Sequence, residues 1–235
     1  MLVKPKVLLW WSSGKDSAWA LHLLQQQGEV EVVALATTFN ENTNRVAMHD
    51  VFLDLVQSQA KAAGLPLWLI RLPWPCTNME YEKRMQSVIV RARSEGIRTF
   101  AYGDLHLQDI RDYREELFER TDSTLLFPIW GTSTETLELA QTMIRAGLRA
   151  ILTCIDTKQL PREFIGREFD YSLLSDLPVG IDPCGENGEF HTFCYNGPMF
   201  SVPIDVRQGD TVTRDEFVYC DLLPTQTDTH LSRYV

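Results

Sequence analysis

The 235-residue sequence contains no C-x-x-C pair, and its five cysteines, Cys76, Cys154, Cys184, Cys194 and Cys220, are scattered and odd in number. That pattern excludes a zinc ribbon and a disulfide framework and reads as reduced thiols in a cytoplasmic protein. No run approaches the ~18 apolar residues of a membrane span. The opening MLVKPKVLLWW has two lysines and a short apolar stretch. It lacks the longer apolar region and small-residue cleavage site of a secretion signal. Basic residues are scarce, 22 Lys and Arg against 32 Asp and Glu, for a formal charge of -10. Such a balance counts against a general nucleic-acid partner while leaving room for a local basic groove. The commonest phosphate loop, G-x-x-x-x-G-K-S/T, is missing as well. Internal repeats and low-complexity tracts are absent.

What is present is enough apolar residue, 44% of the chain, to bury a sizeable core. The length fits one large domain or a domain with a smaller annex. Strand-like runs at 6–11, 30–39, 67–72, 97–103, 125–131 and 149–156 alternate with helical patterns at 17–27, 49–63, 79–94, 110–120 and from 137 to 148. Alternation of this kind predicts an α/β fold, a doubly wound and mostly parallel sheet covered on both faces. After Asp156 the chain turns rich in Gly, Pro, Asn and Asp. Two alternating runs, MFSVPIDV and DTVTRDEFVYCDLL, flank Gln208-Gly209-Asp210 and predict a small antiparallel element. The expected organisation is therefore a nucleotide-binding α/β domain over 1–156, a substrate-binding element over 157–224, and a polar tail over 225–235.

The segment between the first strand and the first helix is Ser12-Ser13-Gly14-Lys15-Asp16-Ser17. Backbone N–H groups at a helix start carry partial positive charge and point outward. Gly14 permits close approach of an anion, and the hydroxyls of Ser12, Ser13 and Ser17 can donate to it. Lys15 adds a mobile cation. Asp16 fits such a site if Mg²⁺ sits between its carboxylate and the phosphates. An ordinary Ser/Asp helix cap would use the same residues.

SSGKDS resembles the S-G-G-x-D-S pyrophosphate loop of the N-type ATP pyrophosphatases, with Ser13 where that pattern has Gly. GENGEFHTFCYNGPMF at 185–200 is similar to the E-G-G-E-F/Y-E/H-T signature of the diphthine–ammonia ligase family. YGDLHLQDIRDYRE at 102–115 and LFPIWG at 126–131 resemble that family's Gly-led loop and P-x-W-G strand end. The motifs follow in the family's order from about residue 6 to 202.

The resemblance implies an ATP-dependent amide ligase. A carboxylate attacks the α-phosphorus, pyrophosphate leaves, and free ammonium supplies the nitrogen that displaces AMP. Catalytic roles would fall to Lys15, Asp16, Glu186, Glu189 and His191. ATP would contact Ser12, Ser13, Gly14, Lys15, Asp16 and Ser17, with Asp16 on the metal. In an open sheet the nucleotide lies beyond the carboxyl ends of the strands. That rule adds Ala36 and Thr37 after the second strand, then Tyr102, Gly103 and Asp104 after the fourth. His49 is a further candidate, with a helix-cap role as its alternative. Asn187, Gly188, Glu189, His191 and Thr192 would bind the acceptor. Family members that act on diphthine commonly carry Glu at the His191 position. Two acceptors follow: diphthine on an elongation factor, or a small carboxylate in a bacterium, as in corrinoid salvage. A non-catalytic nucleotide binder is the other reading, and a homo-oligomer is left open. Trp10, Trp11 and Trp19 read as core aromatics, and the charges from Asp109 to Arg114 as a solvated helix face.

Overall fold

A computed structural model of the protein describes residues 3–46, 49–131 and 134–225. The predicted tail lies outside them from residue 226 onward. Among the described residues, the first half holds eleven strands and helices, alternating as expected apart from the short β3: β1 (Lys6–Trp10), α1 (Lys15–Gln27), β2 (Glu31–Asn40), β3 (Arg45–Val46), α2 (Leu53–Ala63), β4 (Leu67–Leu72), α3 (Asn78–Ser94), β5 (Thr99–Ala101), α4 (Gln108–Phe118), β6 (Thr124–Leu126) and α5 (Thr136–Arg145). The second half holds β7 (Arg149–Asp156), α6 (Tyr171–Asp176), β8 (Phe190–Asn196), β9 (Val206–Arg214) and β10 (Phe217–Pro224).

The first sheet runs β4-β2-β1-β5-β6, all parallel, with β3 as a short antiparallel annex on β2. From β1 the chain winds outward one way through β2 and β4, then returns to start the other way with β5 and β6. The crevice between β1 and β5 is thus the switch point where such sheets bind ligands. Strand alternation divides the core. Val7, Leu9 and Trp11 face α1, α2 and the second sheet, while Leu8 faces Trp68, Met85 and Phe100 beneath α3. Truncating fully buried Leu8 to Ala would cost about 2–5 kcal/mol. α1 stops at Gly28, whose left-handed φ of 65° lets its N–H bond to the Leu24 carbonyl.

The second sheet is antiparallel in the order β8-β7-β10-β9. The strand at 149–156, read from sequence as the last of the parallel series, is an interior strand of this sheet instead. Burial on both faces gave it the continuous apolar run that a parallel strand also has. The hairpin turn is also displaced. Gln208-Gly209-Asp210 lies within β9, and the chain turns at Asp215, with φ of 53°, and Glu216. Gly209 sits where a Cβ would come within 3.2 Å of Asp221 Cβ, beside the register shift in β10. The helix predicted from His49 begins only at Leu53. Both sheets share one core, which joins Leu9 and Trp11 to Leu152 and Phe193. Among the described residues no helix is long and apolar enough to cross a membrane.

Candidate active site

β1 ends at Trp10, and the chain crosses to α1 through Ser12, Ser13 and Gly14. Ser13 is fully buried with φ of 74°, a left-handed conformation that side chains other than Gly rarely adopt. That geometry accounts for the Gly of the pyrophosphate-loop pattern at this place. The Ser13 carbonyl accepts from Cys194 N of β8 and from Gln59 Nε2 of α2, each at 2.9 Å. Ordinary capping does not describe this helix start. Its N-cap is Gly14, and no side chain of the loop caps it. Instead Thr192 Oγ1, from β8, accepts the Lys15 backbone N–H at 3.1 Å. Ser12 Oγ and Ser17 Oγ stand 3.2 Å apart, and Ser17 Oγ donates to the Gly14 carbonyl.

Two glycines carry the close approaches. A Cβ on Gly14 would come 2.7 Å from His49 Cε1 and 3.2 Å from the Thr192 carbonyl. One on Gly103 would come 2.8 Å from Ser17 N and 2.9 Å from Asp16 C. The loops after β1 and β5 therefore meet backbone to backbone at the start of α1.

Lys15 is not the mobile cation expected. Its side chain is buried, and Nζ donates to both Asp16 oxygens at 2.8 and 2.9 Å and to the Cys184 carbonyl. The rings of Phe169 and Phe190 lie 5.4 and 5.7 Å from it. Burial is the largest single influence and works against the charge, but Asp16, Cys184 and Glu186 together outweigh it and hold the ammonium above its ordinary pKa. Lys15 thereby fastens the late motif to α1.

The late motif closes from the other side. Glu186 Oε1 accepts from Leu105 N at 2.9 Å, and Leu105 O accepts from Gly131 N at 2.9 Å. The four motifs thus share one hydrogen-bonded network. Burial, with the like charge of Asp16 next, pushes the Glu186 carboxyl up to about 7. Glu189 is 1% exposed; Oε1 accepts from Asp182 N and Asn187 Nδ2. Asn187 itself is exposed, and Gly188 turns the chain at a φ of 83°. His191 and His49 place their rings 4.8 Å apart, and His49 Nδ1 lies 2.8 Å from the Thr192 carbonyl. Burial lowers both imidazoles, His49 to about 4 and His191 to about 3.

Ala36 and Thr37 lie inside β2 rather than after it, because β2 continues to Asn40 past the end of β1. Ala36 O is taken by Trp11 N at 2.7 Å. Thr37, one residue beyond the last β1 pair, is fully buried beside the departing loop. Tyr102 is buried in an aromatic stack between Trp10 and Phe127, with Arg114 over its ring at 4.1 Å. Asp104 accepts from Nε and Nη2 of Arg114, so that arginine turns inward from the charged helix face. Trp11 and Trp19 are core residues, as expected.

Sequence reasoning missed Gln59, Arg114 and the His106–Asp182 pair, whose Nε2 and Oδ2 stand 3.2 Å apart. Asp182 lies just ahead of the late motif and His106 inside YGDLHLQD, so both were within reach of a wider motif. Gln59 gave no signal. A cavity of about 460 Å³ between α3 and α4, lined by Met79, Tyr113 and Arg120 among others, lies apart from this network. The unpartnered atoms mark the site better. Five buried side-chain N or O atoms among the described residues lack a partner. Four of them are Ser13 Oγ, Thr37 Oγ1, Glu189 Oε2 and His191 Nε2, three at residues singled out by motif and Thr37 by its place at the sheet's switch point. Buried polar atoms are almost always bonded, so such a concentration points to a ligand.

Comparison with known proteins agrees with the motif order. The chain is 26% identical over 226 residues to the diphthine–ammonia ligase of Bos taurus, covering 86% of this chain and 83% of that one. It is 25% identical over 236 residues to the Schizosaccharomyces pombe enzyme of the same name, covering 92% of this chain and 38% of that one. A solved structure, the U34-tRNA thiolase NcsA from Methanococcus maripaludis, aligns with a TM-score of 0.39 and 15% identity over 61% of this chain and 58% of its own. The model of the diphthamide synthase N-terminal domain matches residues 5–121, and that of the C-terminal domain matches residues 135–223. With both halves matched in order around the two meeting motifs, the chain belongs to the diphthamide synthase family.

Proposed function

We propose that the protein is an ATP-dependent ligase that converts a carboxylate to an amide through an acyl-adenylate. The observation that carries this reading is the bond from Lys15 N–H to Thr192 Oγ1. It sets the loop suited to phosphate directly against the strand that bears the late motif. The curated relatives are named for ligation of ammonia to diphthine, and that activity is the model for this one.

ATP would lay its outer phosphates at the amino end of α1, against the hydroxyls of Ser12, Ser13 and Ser17 and the Gly14 backbone. The acceptor carboxylate attacks the α-phosphorus, the bond to the β-phosphate oxygen breaks, and pyrophosphate leaves. Lys15, already bonded to Asp16, keeps the loop and the Cys184 turn in place rather than following the leaving group. Ammonia then attacks the acyl carbon, AMP departs, and the nitrogen loses one proton. Glu186, with its carboxyl raised to about 7, is suited to take that proton near neutral pH. His191 Nε2 and Glu189 Oε2, both buried and unpartnered, would offer the acceptor hydrogen-bonding groups. Holding the two reactants in line is the larger part of the work.

Magnesium belongs to the same proposal. Among the described residues no three His, Cys, Asp or Glu side chains are grouped so as to hold a metal. Asp16 and Glu186 retain oxygen lone pairs, so an ion beside them would draw its other ligands from phosphate and water, as Mg²⁺ usually does. When bound it would neutralise charge on the departing pyrophosphate.

The acceptor is diphthine on an elongation factor or a small carboxylate, and the work is done in the cytoplasm. Product analysis tests the reading. The protein is incubated with ATP, magnesium and ammonium, and with either a diphthine-bearing elongation factor or a panel of small carboxylates. AMP and pyrophosphate formed in step with amide are expected. ADP and phosphate, or ATP bound without turnover on any acceptor, would replace the ligase with a different enzyme or a non-catalytic nucleotide binder.

A further inference from the structure

We propose that Gln59 is a positioning residue that holds the nucleotide loop in its binding shape and locks it to β8; this rests on the nucleotide-site reading above. Gln59 projects from α2 and is fully buried. Its Oε1 accepts from Trp11 Nε1 at 2.8 Å, and its Nε2 donates to Ser13 O at 2.9 Å and to Cys194 O at 2.6 Å. The orientation of the amide is forced by chemistry. An indole nitrogen only donates and carbonyl oxygens only accept, so a flipped amide would lose all three bonds.

The Ser13 peptide is where this grip matters. Its φ of 74° is a strained conformation for serine, and such strain persists only where the surroundings over-determine it. Gln59 Nε2 and Cys194 N hold the Ser13 carbonyl from two sides, which keeps that oxygen out of the space where phosphate would lie. The same conformation leaves Ser13 Oγ buried with no partner. An amide from α2, outside every motif, thus joins the end of β1, the loop and the acceptor-bearing strand into one rigid body. It touches none of the reacting groups and acts through Ser13.

The test uses the full chain, with ATP affinity read by titration calorimetry well below the melting temperature. Gln59→Met keeps the volume and removes all three bonds, and is expected to weaken ATP binding about tenfold, near the loss for polar groups left unpaired. In a Ser13→Gly background, where the Ser13 hydroxyl is missing from both members of the comparison, Gln59→Met should weaken binding no more than about threefold, a recovery that follows because glycine adopts the positive φ without being held there. A Gln59 that merely fills the core would show no such recovery. Trp11→Phe removes the bond that orients the amide, together with some buried ring volume. It should weaken ATP binding about threefold, for one hydrogen bond, and respond to Ser13→Gly in the same way. Unchanged affinity in both folded variants, or no recovery on adding Ser13→Gly, overturns the inference while leaving the site intact. Failure of the parent protein to bind ATP overturns the site reading and this inference together.

Discussion

The hydroxyl of Thr192 accepts the backbone N–H of Lys15 at 3.1 Å, across 177 positions of chain. One side chain thereby closes the helix start and fixes the distance between the nucleotide loop and the late motif. Neither motif supplies that closure from its own neighbours. Gly14 has no side chain to cap with, and β8 reaches the helix only because the second sheet packs on the same core.

Thr192→Val follows directly. It keeps the shape and removes the acceptor, so the protein should lose about 1 kcal/mol of stability. If the bond sets the site, ATP binding should weaken by more than the small change in melting temperature suggests. Denaturant melts and ATP titrations on the same preparation separate the two effects.

Gly14→Ala should abolish ATP binding, since the new Cβ meets His49 Cε1 at 2.7 Å. Adding His49→Ala removes that clash and should restore part of the affinity. Recovery stays partial because the Thr192 carbonyl remains at 3.2 Å. A double-mutant cycle on the ATP dissociation constant measures the coupling.

Much of this arrangement was legible beforehand, for reasons particular residues make plain. Strand–helix alternation follows from period, and β1, α1, β2 and α3 fall where the patterns of Val7–Trp10, Ala18–Leu24 and Met85–Ala92 put them. β7 was assigned to the wrong sheet because an interior strand reads alike in either kind of sheet. The loop and the late motif were visible as dense Gly, Ser and Glu in short spans. Their meeting was not, since no local signal says which strand caps which helix. Lys15 read as mobile because sequence cannot reveal that Asp16, Cys184 and two phenylalanines enclose it. Gln59 is one polar residue on an otherwise ordinary helix, and only its three partners give it meaning.

Glu186 sets the pH response. Its carboxylate form, needed to take a proton, accumulates as pH rises through about 7, so amide formation should rise over that range. Glu186→Gln should slow amide formation about 10²-fold, the usual scale for a lost general base, and leave pyrophosphate exchange in place. The folded pKa is raised, so the associated stability is present below about 4.5 and lost as pH climbs through about 7. Melting curves from pH 4 to 8 should show a steeper decline in the parent than in Glu186→Gln, since Asp16 and Glu168 are raised in the same direction.

The paired imidazoles give the opposite slope. His49 and His191 fold neutral, with pKa values lowered to about 4 and about 3. Their contribution is full above the ordinary histidine value of 6.5 and lost as pH falls through the folded values. His191→Gln should make the acid limb of the stability profile shallower, as read from thermal melts between pH 7 and 3.

The most direct measurement is a crystal structure with magnesium and a non-hydrolysable ATP analogue. The β- and γ-phosphates should lie at the amino end of α1, within hydrogen-bonding reach of Ser13 Oγ, with the Thr192–Lys15 bond intact. Phosphates bound elsewhere, for example in the groove between α3 and α4, with Ser12–Ser17 left to the protein's own side chains, would contradict the account.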